Sequence, residues 1–394
     1  MPAEEITNKN SSSLVFLVAF RICRSIAAGM IALTFPYLIL KSFTHGALIL
    51  GFLYSSASIA TALLGLFFGF LTDIWGRKET LLTVAFLIPL SCFFVLLAHT
   101  LPLLFAAAVL GGYSATGSLA GGGVGGAAQP IQNAVLADLT TSENRTKYYS
   151  ILTFISGILA SLGTLLAKLF TLQGAFAAAL FISLISILFV IPLKFKKIKG
   201  NPKQLKSAGA IGKFTITGIL NGFSQGLVTP FLIPFFVLVY HIPKSEMAVY
   251  GFISGLIAAV GLLGAPYLEK TFGFVKSMTI TRGFGALLMI LLPLIKDLPF
   301  ALAVYFFSPA LRIAALPIQQ TQITERVNPD EVGRALGTNQ VARLASSSGG
   351  ILMTGYLFDL SEIGVPFYLY GAVMGINTYL YHRFFSGPGD GVES

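Results

Sequence analysis

The 394-residue chain is apolar and basic: 55% of its residues are hydrophobic, 11% are charged, its mean hydropathy is +0.81 and its formal net charge is +10. Soluble domains carry about 25% charged residues, so the composition excludes a water-soluble globular protein. Most apolar runs are about 20 residues or longer, which suits helices that cross a ~30 Å hydrocarbon core. The ~10-residue alternating segments of a transmembrane barrel are missing. The sequence therefore predicts an all-α integral membrane protein.

The apolar runs predict twelve transmembrane helices in chain order. The fourth is longer than one crossing requires, and its last third is expected to extend beyond the membrane or to tilt. The predicted spans are 14–40, 47–71, 80–98, 102–137, 148–171, 174–193, 214–240, 247–268, 276–295, 298–324, 333–358 and 364–385.

Lysines and arginines concentrate on one side of the predicted spans, and in multi-pass proteins that side is cytoplasmic. This rule predicts cytoplasmic N- and C-termini, and we expect the cell (plasma) membrane as the location. The first residues lack the basic region and cleavage site of a signal peptide, so the first span is expected to direct insertion.

One basic linker separates two halves of the chain. Residues Lys194 to Lys213 hold seven lysines and no acid. We expect this segment to lie on anionic lipid head groups, and a specific protein- or nucleic-acid-binding role is the less favoured alternative. The predicted domains are a six-helix bundle at 1–193, the linker at 194–213 and a second six-helix bundle at 214–394.

The two halves repeat one another in sequence. Pro130-Ile131-Gln132 recurs as Pro317-Ile318-Gln319, and Pro36-Tyr37-Leu38-Ile39 recurs as Pro230-Phe231-Leu232-Ile233. Gly264, Glu269, Gly273 and Lys276 echo Gly69, Asp73, Gly76 and Lys78. Matches in the same order, each about 190 residues apart, indicate a duplicated six-helix unit.

The stretch from Gly69 to Lys78 reads G-F-L-T-D-I-W-G-R-K and fits the pattern G-x-L-x-D-x-x-G-R-K. In this it resembles the major facilitator superfamily of secondary transporters. The resemblance implies two pseudo-symmetric six-helix bundles, which are parallel repeats. It further implies a central cavity lined by the first, fourth, seventh and tenth helices, with alternating access as the bundles rock.

The resemblance also implies a cytoplasmic gate. Asp73 would cap the N-terminus of the eleventh span, where the helix dipole favours a carboxylate, and Arg77 would pair with Asp138. The alternative is that these charges only orient the hairpin. The full set of gate candidates is Gly69, Asp73, Gly76, Arg77, Lys78, Asp138, Arg145, Glu269, Glu325 and Arg334.

Other signatures of the family are altered. Drug:proton antiporters carry an Arg-x-x-Gln-Gly stretch in the fourth helix, whereas this chain has no arginine in the corresponding Gly111 to Gly117. Their Gly-Pro-rich signature in the fifth helix is replaced by Ser156 to Gly163, which contains no proline. Both departures argue against a standard proton-driven drug exporter.

The charged residues predicted inside the membrane are arginines, whereas every acid falls near a span end, in a loop or in a tail. Arg24, Arg312 and Arg343 lie about 15 Å into their spans. They could bind helix carbonyls, line a wet cavity or meet an anionic substrate, since guanidinium groups match carboxylates and phosphates. Arg21 and Arg282 are shallower and are expected to snorkel to the cytoplasmic surface.

Neutral polar residues complete the predicted cavity. They could hydrogen-bond a polar solute or simply join helices; they are Asn221, Gln225, Gln319, Gln320, Gln129 and Gln132.

The glycine-rich run from Gly121 to Gly126 lacks the lysine and flanking strand of a phosphate loop. Cys23 and Cys92 fall on different spans and imply no metal site. No catalytic arrangement is present, so we expect no enzyme activity and no cofactor.

The leading hypothesis is a secondary transporter that moves a small organic anion or carboxylate by alternating access, because the charges deep in the predicted spans are arginines only. One alternative is a multidrug or lipophilic-compound efflux transporter of the same superfamily, and another is a non-transporting membrane scaffold or sensor. A functional monomer is expected.

Overall fold

The structure is a computed structural model. It describes every residue except 1–2, 99, 114–125, 129–130, 133–134, 137–138, 140–141, 194–206, 329–330 and 386–394. The backbone alone is described at 3–12, 73, 127, 142–147, 149–150 and 333.

The described residues form α-helices and short 3₁₀ turns, with no strand among them. The helices are α1 (Ala3–Ser42), α2 (Gly46–Trp75), α3 (Arg77–Ala85), α4 (Leu87–Leu97), α5 (Leu101–Gly111), α6 (Ser142–Leu166), α7 (Leu172–Leu188), α8 (Ala208–Val228), α9 (Leu232–Val239), α10 (Lys244–Leu291), α11 (Leu298–Arg326), α12 (Val332–Asp359) and α13 (Val365–Phe385).

Breaks in these helices follow glycine and proline. α5 ends at Gly111, followed by Gly112 in the left-handed conformation (φ 58°), so the predicted fourth span is not one continuous helix from 102 to 137. The 3₁₀ turn Thr229–Phe231 separates α8 from α9 because Pro230 cannot donate a backbone hydrogen bond. Among the described helices, seven are long and apolar enough to cross a membrane. The count of twelve spans stays a prediction.

Two compact units make up the chain. The first contains Met1–Phe35, Ala60–Asn201 and Lys244–Phe252; the second contains Pro36–Ile59, Pro202–Pro243 and Ile253–Ser394. The predicted bundle boundaries at 1–193 and 214–394 describe a sequence duplication and remain predictions.

Each unit has its own apolar core, and the repeated residues occupy matching places. Ile131 is 1% exposed in the core of the first unit, which also holds Phe20 and Leu81. Ile318 is likewise 1% exposed in the core of the second unit, beside Phe214. The sequence repeat therefore marks positions that are buried alike in both units.

Two glycines make the turns that follow α2 and divide α10. Gly76 has φ 111° and ψ 163°, and Gly273 has φ 72° and ψ 173°. Side chains other than hydrogen are excluded from this backbone region by steric clash. The paired glycines predicted from the sequence repeat thus share one unusual backbone conformation.

Close helix contacts depend on small residues. On α8, a Cβ atom at Gly222 or Gly226 would collide with the carbonyl oxygen of Arg343 or Ser347 on α12. Such spacing lets helix backbones approach closely in membranes, where packing drives association. α8 and α12 are therefore held together along their length.

α2 and α12 also approach closely within the second unit. A Cβ atom at Gly51 would lie 2.7 Å from the Cα atom of Gly355. Nearby, Nδ1 of His45 lies 2.8 Å from Oδ2 of Asp359, and the Ser58 hydroxyl donates to the carbonyl of Leu344.

Replacing either turn glycine by alanine should destabilise the fold. We expect Gly76→Ala and Gly273→Ala each to lower the free energy of unfolding by about 1–3 kcal/mol, because the added Cβ is strained at these angles. Thermal unfolding of purified protein measures the change. Gly264→Ala is the control, since a Cβ there meets nothing within 4 Å; equal stability of all three variants would contradict the prediction.

Candidate functional site

Two arginines of the second unit lie within electrostatic range of a third. The three are Arg282 on α10, Arg312 on α11 and Arg343 on α12, and we call them the arginine cluster. The charges of Arg282 and Arg312 both act on Arg343. Arg282 is 4% exposed, whereas Arg312 and Arg343 are half-buried. Sequence reasoning singled out two members of the cluster and missed Arg282 as a member.

Arg282 does not snorkel, so that expectation is wrong. Its Nη2 donates to Oε1 of Gln319 at 2.9 Å, and its Nη1 donates to Oδ1 of Asn377 at 3.2 Å. Nδ2 of Asn377 donates in turn to the carbonyl of Thr217, and the Arg282 guanidinium lies 4.8 Å from the ring centroid of Tyr381. Arg21 is also buried, at 7% exposed. Polar partners on neighbouring helices hold Arg282 inside the unit.

Arg312 and Arg343 are fixed by neutral groups. Nη1 of Arg312 donates to Oγ1 of Thr229 at 2.5 Å, and the Thr229 hydroxyl donates to Oε1 of Gln225 at 2.9 Å. Nη2 of Arg343 donates to Oε1 of Gln340, one turn earlier on α12, at 2.7 Å. The Pro230 break places Thr229 at the end of α8, where its side chain reaches α11.

In the arginine cluster, hydrogen-bond donors outnumber acceptors, because each guanidinium group carries five N–H donors. The amide oxygens of Gln225, Gln319, Gln340 and Asn377 already accept bonds from the side chains just described. Across the part of the chain that the structure describes, no ion pair joins an acid to any member of the arginine cluster. The arrangement therefore combines positive charge with free N–H groups, which suits an anionic ligand.

The other predicted cavity residues are dispersed. Arg24 is 5% exposed in the first unit, where its guanidinium lies 5.2 Å from the ring centroid of Phe20. Asn221 is buried on α8, Gln132 is buried in the first unit and Gln320 is exposed. Gln129 lies outside the described residues.

Two lysines bond to backbone carbonyls at or just beyond the C-terminal ends of helices. Nζ of Lys78 bonds to the carbonyl oxygen of Ile191, just past α7, at 2.5 Å. Nζ of Lys213 bonds to that of Phe384, in the last turn of α13, at 3.4 Å. Positive charge is favourable at the negative end of a helix dipole, so Lys78 has a structural partner of its own.

The second copy of the hairpin forms a polar cluster around Gln322. Nε2 of Gln322 donates to Glu269 at 3.2 Å and to Glu325 at 2.7 Å, and its Oε1 accepts from Nε of Arg326 at 3.1 Å. The predicted gate residues Glu269 and Glu325 are thus brought together. Gln322, which joins them, was missed because nothing in the sequence pattern distinguishes it from neighbouring polar residues.

Several gate expectations cannot be compared with side-chain contacts. Asp138 lies outside the described residues, and the side chains of Asp73 and Arg145 are not described. Arg77 and Arg334 are half-buried. Gly69 lies within α2, and Gly76 makes the turn described above. The proposed pairs of Asp73 with the start of α12 and of Arg77 with Asp138 remain predictions.

Comparison with known proteins identifies the class of this chain. The family model described as Major Facilitator Superfamily matches residues 17–351. The chain therefore belongs to the major facilitator superfamily, as its hairpin motif predicted, and is a multi-pass membrane protein with the fold of that superfamily. None of the curated proteins searched matches the sequence.

Solved structures share this fold at low identity. The human organic anion transporter MFSD10 (TETRAN) is 12% identical, with a TM-score of 0.69 over 97% of this chain and 100% of that one. The inward-open xylose transporter XylE from E. coli is 17% identical, with a TM-score of 0.71 over 96% of each chain. The nucleoside transporter NupG is 14% identical, with a TM-score of 0.72 over 95% of this chain and 99% of that one.

Glu269 should make stability depend on pH. It lies at the turn between two predicted spans, and burial raises the pKa of its carboxyl; the Gln322 hydrogen bond lowers that pKa, and the charge of Glu325 raises it. A raised folded-state pKa means that the folded form binds the proton more tightly. This contribution to stability is full below the unfolded pKa and is lost as pH rises through the folded pKa.

We expect Glu269→Gln, which cannot ionise, to unfold at a higher temperature than wild type at neutral pH and at the same temperature below about pH 4. Thermal unfolding across this pH range measures the difference. Glu362→Gln, at an exposed position, is the control. A Glu269→Gln variant that is less stable than wild type at neutral pH would contradict the prediction.

Proposed function

We propose that this protein is a secondary active transporter that moves a small organic anion across the membrane by alternating access. The observation that carries the proposal is the arginine cluster, in which the charges of Arg282 and Arg312 lie within electrostatic range of Arg343 and no described acid is paired with any of them. Charged side chains inside a membrane protein are costly and mark solute pathways.

An anionic solute would both neutralise positive charge of the cluster and accept hydrogen bonds from its guanidinium groups. A carboxylate or phosphate offers only acceptors when ionised, and guanidinium groups bind such groups through paired N–H donors. Neutral sugars and nucleosides need acceptors from the protein for their hydroxyl groups. The amide oxygens around the cluster each already accept one hydrogen bond, which leaves one lone pair on each, whereas N–H donors are more numerous; anions are therefore favoured over such solutes.

The similar structures are consistent with this proposal. One of them is described as a human organic anion transporter, and the others are described as xylose and nucleoside transporters. Their TM-scores support a shared fold. Because their identity to this chain is low, the solute must be inferred from the side chains of this chain.

The proposal includes a gate and an orientation. The hairpin from Gly69 to Lys78 would latch the cytoplasmic side through Asp73 and Arg77, with both chain termini in the cytoplasm of a cell whose plasma membrane holds the protein. The lysines of 194–213 other than Lys213, which bonds to the carbonyl of Phe384, would rest on anionic head groups, and a monomer would suffice for transport.

Removing a cluster arginine should strongly reduce anion transport. We expect Arg312→Ala to lower the uptake of a transported organic anion into proteoliposomes by at least about tenfold, since a hydrogen bond to a charged group contributes about 1.5–3 kcal/mol. Arg24→Ala tests the candidate of the first unit in the same assay. Arg383→Ala, at an exposed position at the end of α13, is the control. If Arg312→Ala and Arg24→Ala both take up every transported organic anion as wild type does, the proposal is wrong.

In the proposed transport cycle we expect the contact between α2 and α12 to open and close. We expect Gly355→Ala to lower transport several-fold, because the added Cβ meets the backbone of Gly51. Gly349→Ala on the same helix is the control, since its nearest neighbour, the ring of Phe223, lies 3.7 Å away. Equal transport by the two variants, measured in proteoliposomes at matched protein density, would show that this contact does not take part.

A further inference from the structure

The arginine cluster has two separate ends. At one end, Arg312 and Arg343 are half-buried and anchored to Thr229 and Gln340. At the other end, Arg282 is 4% exposed and anchored to Gln319 and Asn377. α11 contributes to both ends, through Arg312 and Gln319, and each end keeps donors beyond those that anchor it.

The buried end carries polar atoms that have no hydrogen-bond partner among the described residues. They are Nε of Arg282, Nε2 of Gln319 and the hydroxyl of Tyr381. The guanidinium of Arg282 contacts both Gln319 and the ring of Tyr381, so the three atoms belong to one contiguous group. Two of them can only donate. Buried unsatisfied donors of this kind call for an acceptor, and the described residues do not supply one.

The orientation of Gln319 follows from its neighbour. Nη2 of Arg282 can only donate, so the atom of Gln319 that faces it is the amide oxygen. The Nε2 group is therefore directed elsewhere. Arg282 in this way orients Gln319 so that its Nε2 donor points away from the guanidinium.

We propose that the arginine cluster binds a solute with two negatively charged groups, one at Arg312 and Arg343 and the other at the buried end formed by Arg282, Gln319 and Tyr381. This inference rests on the proposed transport of organic anions and specifies their charge. A monoanion would leave two of the three positive charges uncompensated, whereas a dianion leaves one. A water molecule at the buried end would accept hydrogen bonds without compensating any charge.

The test compares ligands that differ by one charge at constant size. Purified full-length protein is titrated with succinate and succinamate, with glutarate and glutaramate, and with phthalate and phthalamate, and Kd is measured by thermal shift and by isothermal calorimetry. We expect at least one dianion to bind at least about tenfold more tightly than its half-amide.

The variant Gln319→Glu should remove the preference for a dianion over its half-amide while keeping the binding site. In Gln319→Glu the carboxylate still accepts from Nη2 of Arg282 and neutralises one charge of the cluster. We expect the affinity for the dianion to fall at least about tenfold and that for the half-amide to change less than about threefold. Gln173→Glu adds the same charge at an exposed position on α7 and should leave both affinities unchanged.

A second variant covers a failure of Gln319→Glu to fold. Tyr381→Phe removes the hydroxyl and keeps the ring over which Arg282 lies, and it should weaken dianion binding about threefold or more while sparing the half-amide.

The outcomes separate this inference from the proposed function. Equal affinities within each pair of ligands, or a dianion preference that persists in Gln319→Glu and in Tyr381→Phe, would overturn the two-charge inference while anion transport stands. If wild type binds none of the six ligands and transports no organic anion, the proposed function and the inference both fail.

Discussion

The free-energy cost of burying a guanidinium charge determines which polar side chains surround the arginines of the second unit. Inside a membrane protein, an arginine needs hydrogen-bond acceptors and a source of negative charge. The protein supplies acceptors through Gln319, Asn377, Thr229 and Gln340. Within the described residues it supplies no paired acid, so the helices that meet here are organised around a positive field that a ligand can neutralise.

The fold could be predicted from sequence because membrane helices leave strong signals. Apolar runs gave the membrane class, and the motif from Gly69 to Lys78 gave the superfamily that the family comparison confirmed. The echo of Gly76 at Gly273 proved structurally meaningful, since both adopt a conformation restricted to glycine. The break after Gly111 was missed, because hydropathy alone does not report where a helix ends.

The candidate site was harder to predict because depth along a helix does not determine burial. Arg282 lies few residues from the predicted start of its span, which suggested a side chain at the surface. Its position instead depends on Asn377 and Gln319, which reach it from α13 and α11. Contacts between residues 37 and 95 positions apart leave no periodic pattern that a reading of one sequence can detect.

The glycine contacts between α8 and α12 have a mechanical consequence. Their backbones touch at Gly222 and Gly226, so neither helix can slide past the other without a steric collision. Thr229 follows the end of one helix, and Arg343 lies on the other. Because these contacts oppose sliding, we expect Arg343 and the threonine that anchors Arg312 to keep their spacing while the helices packed around them move.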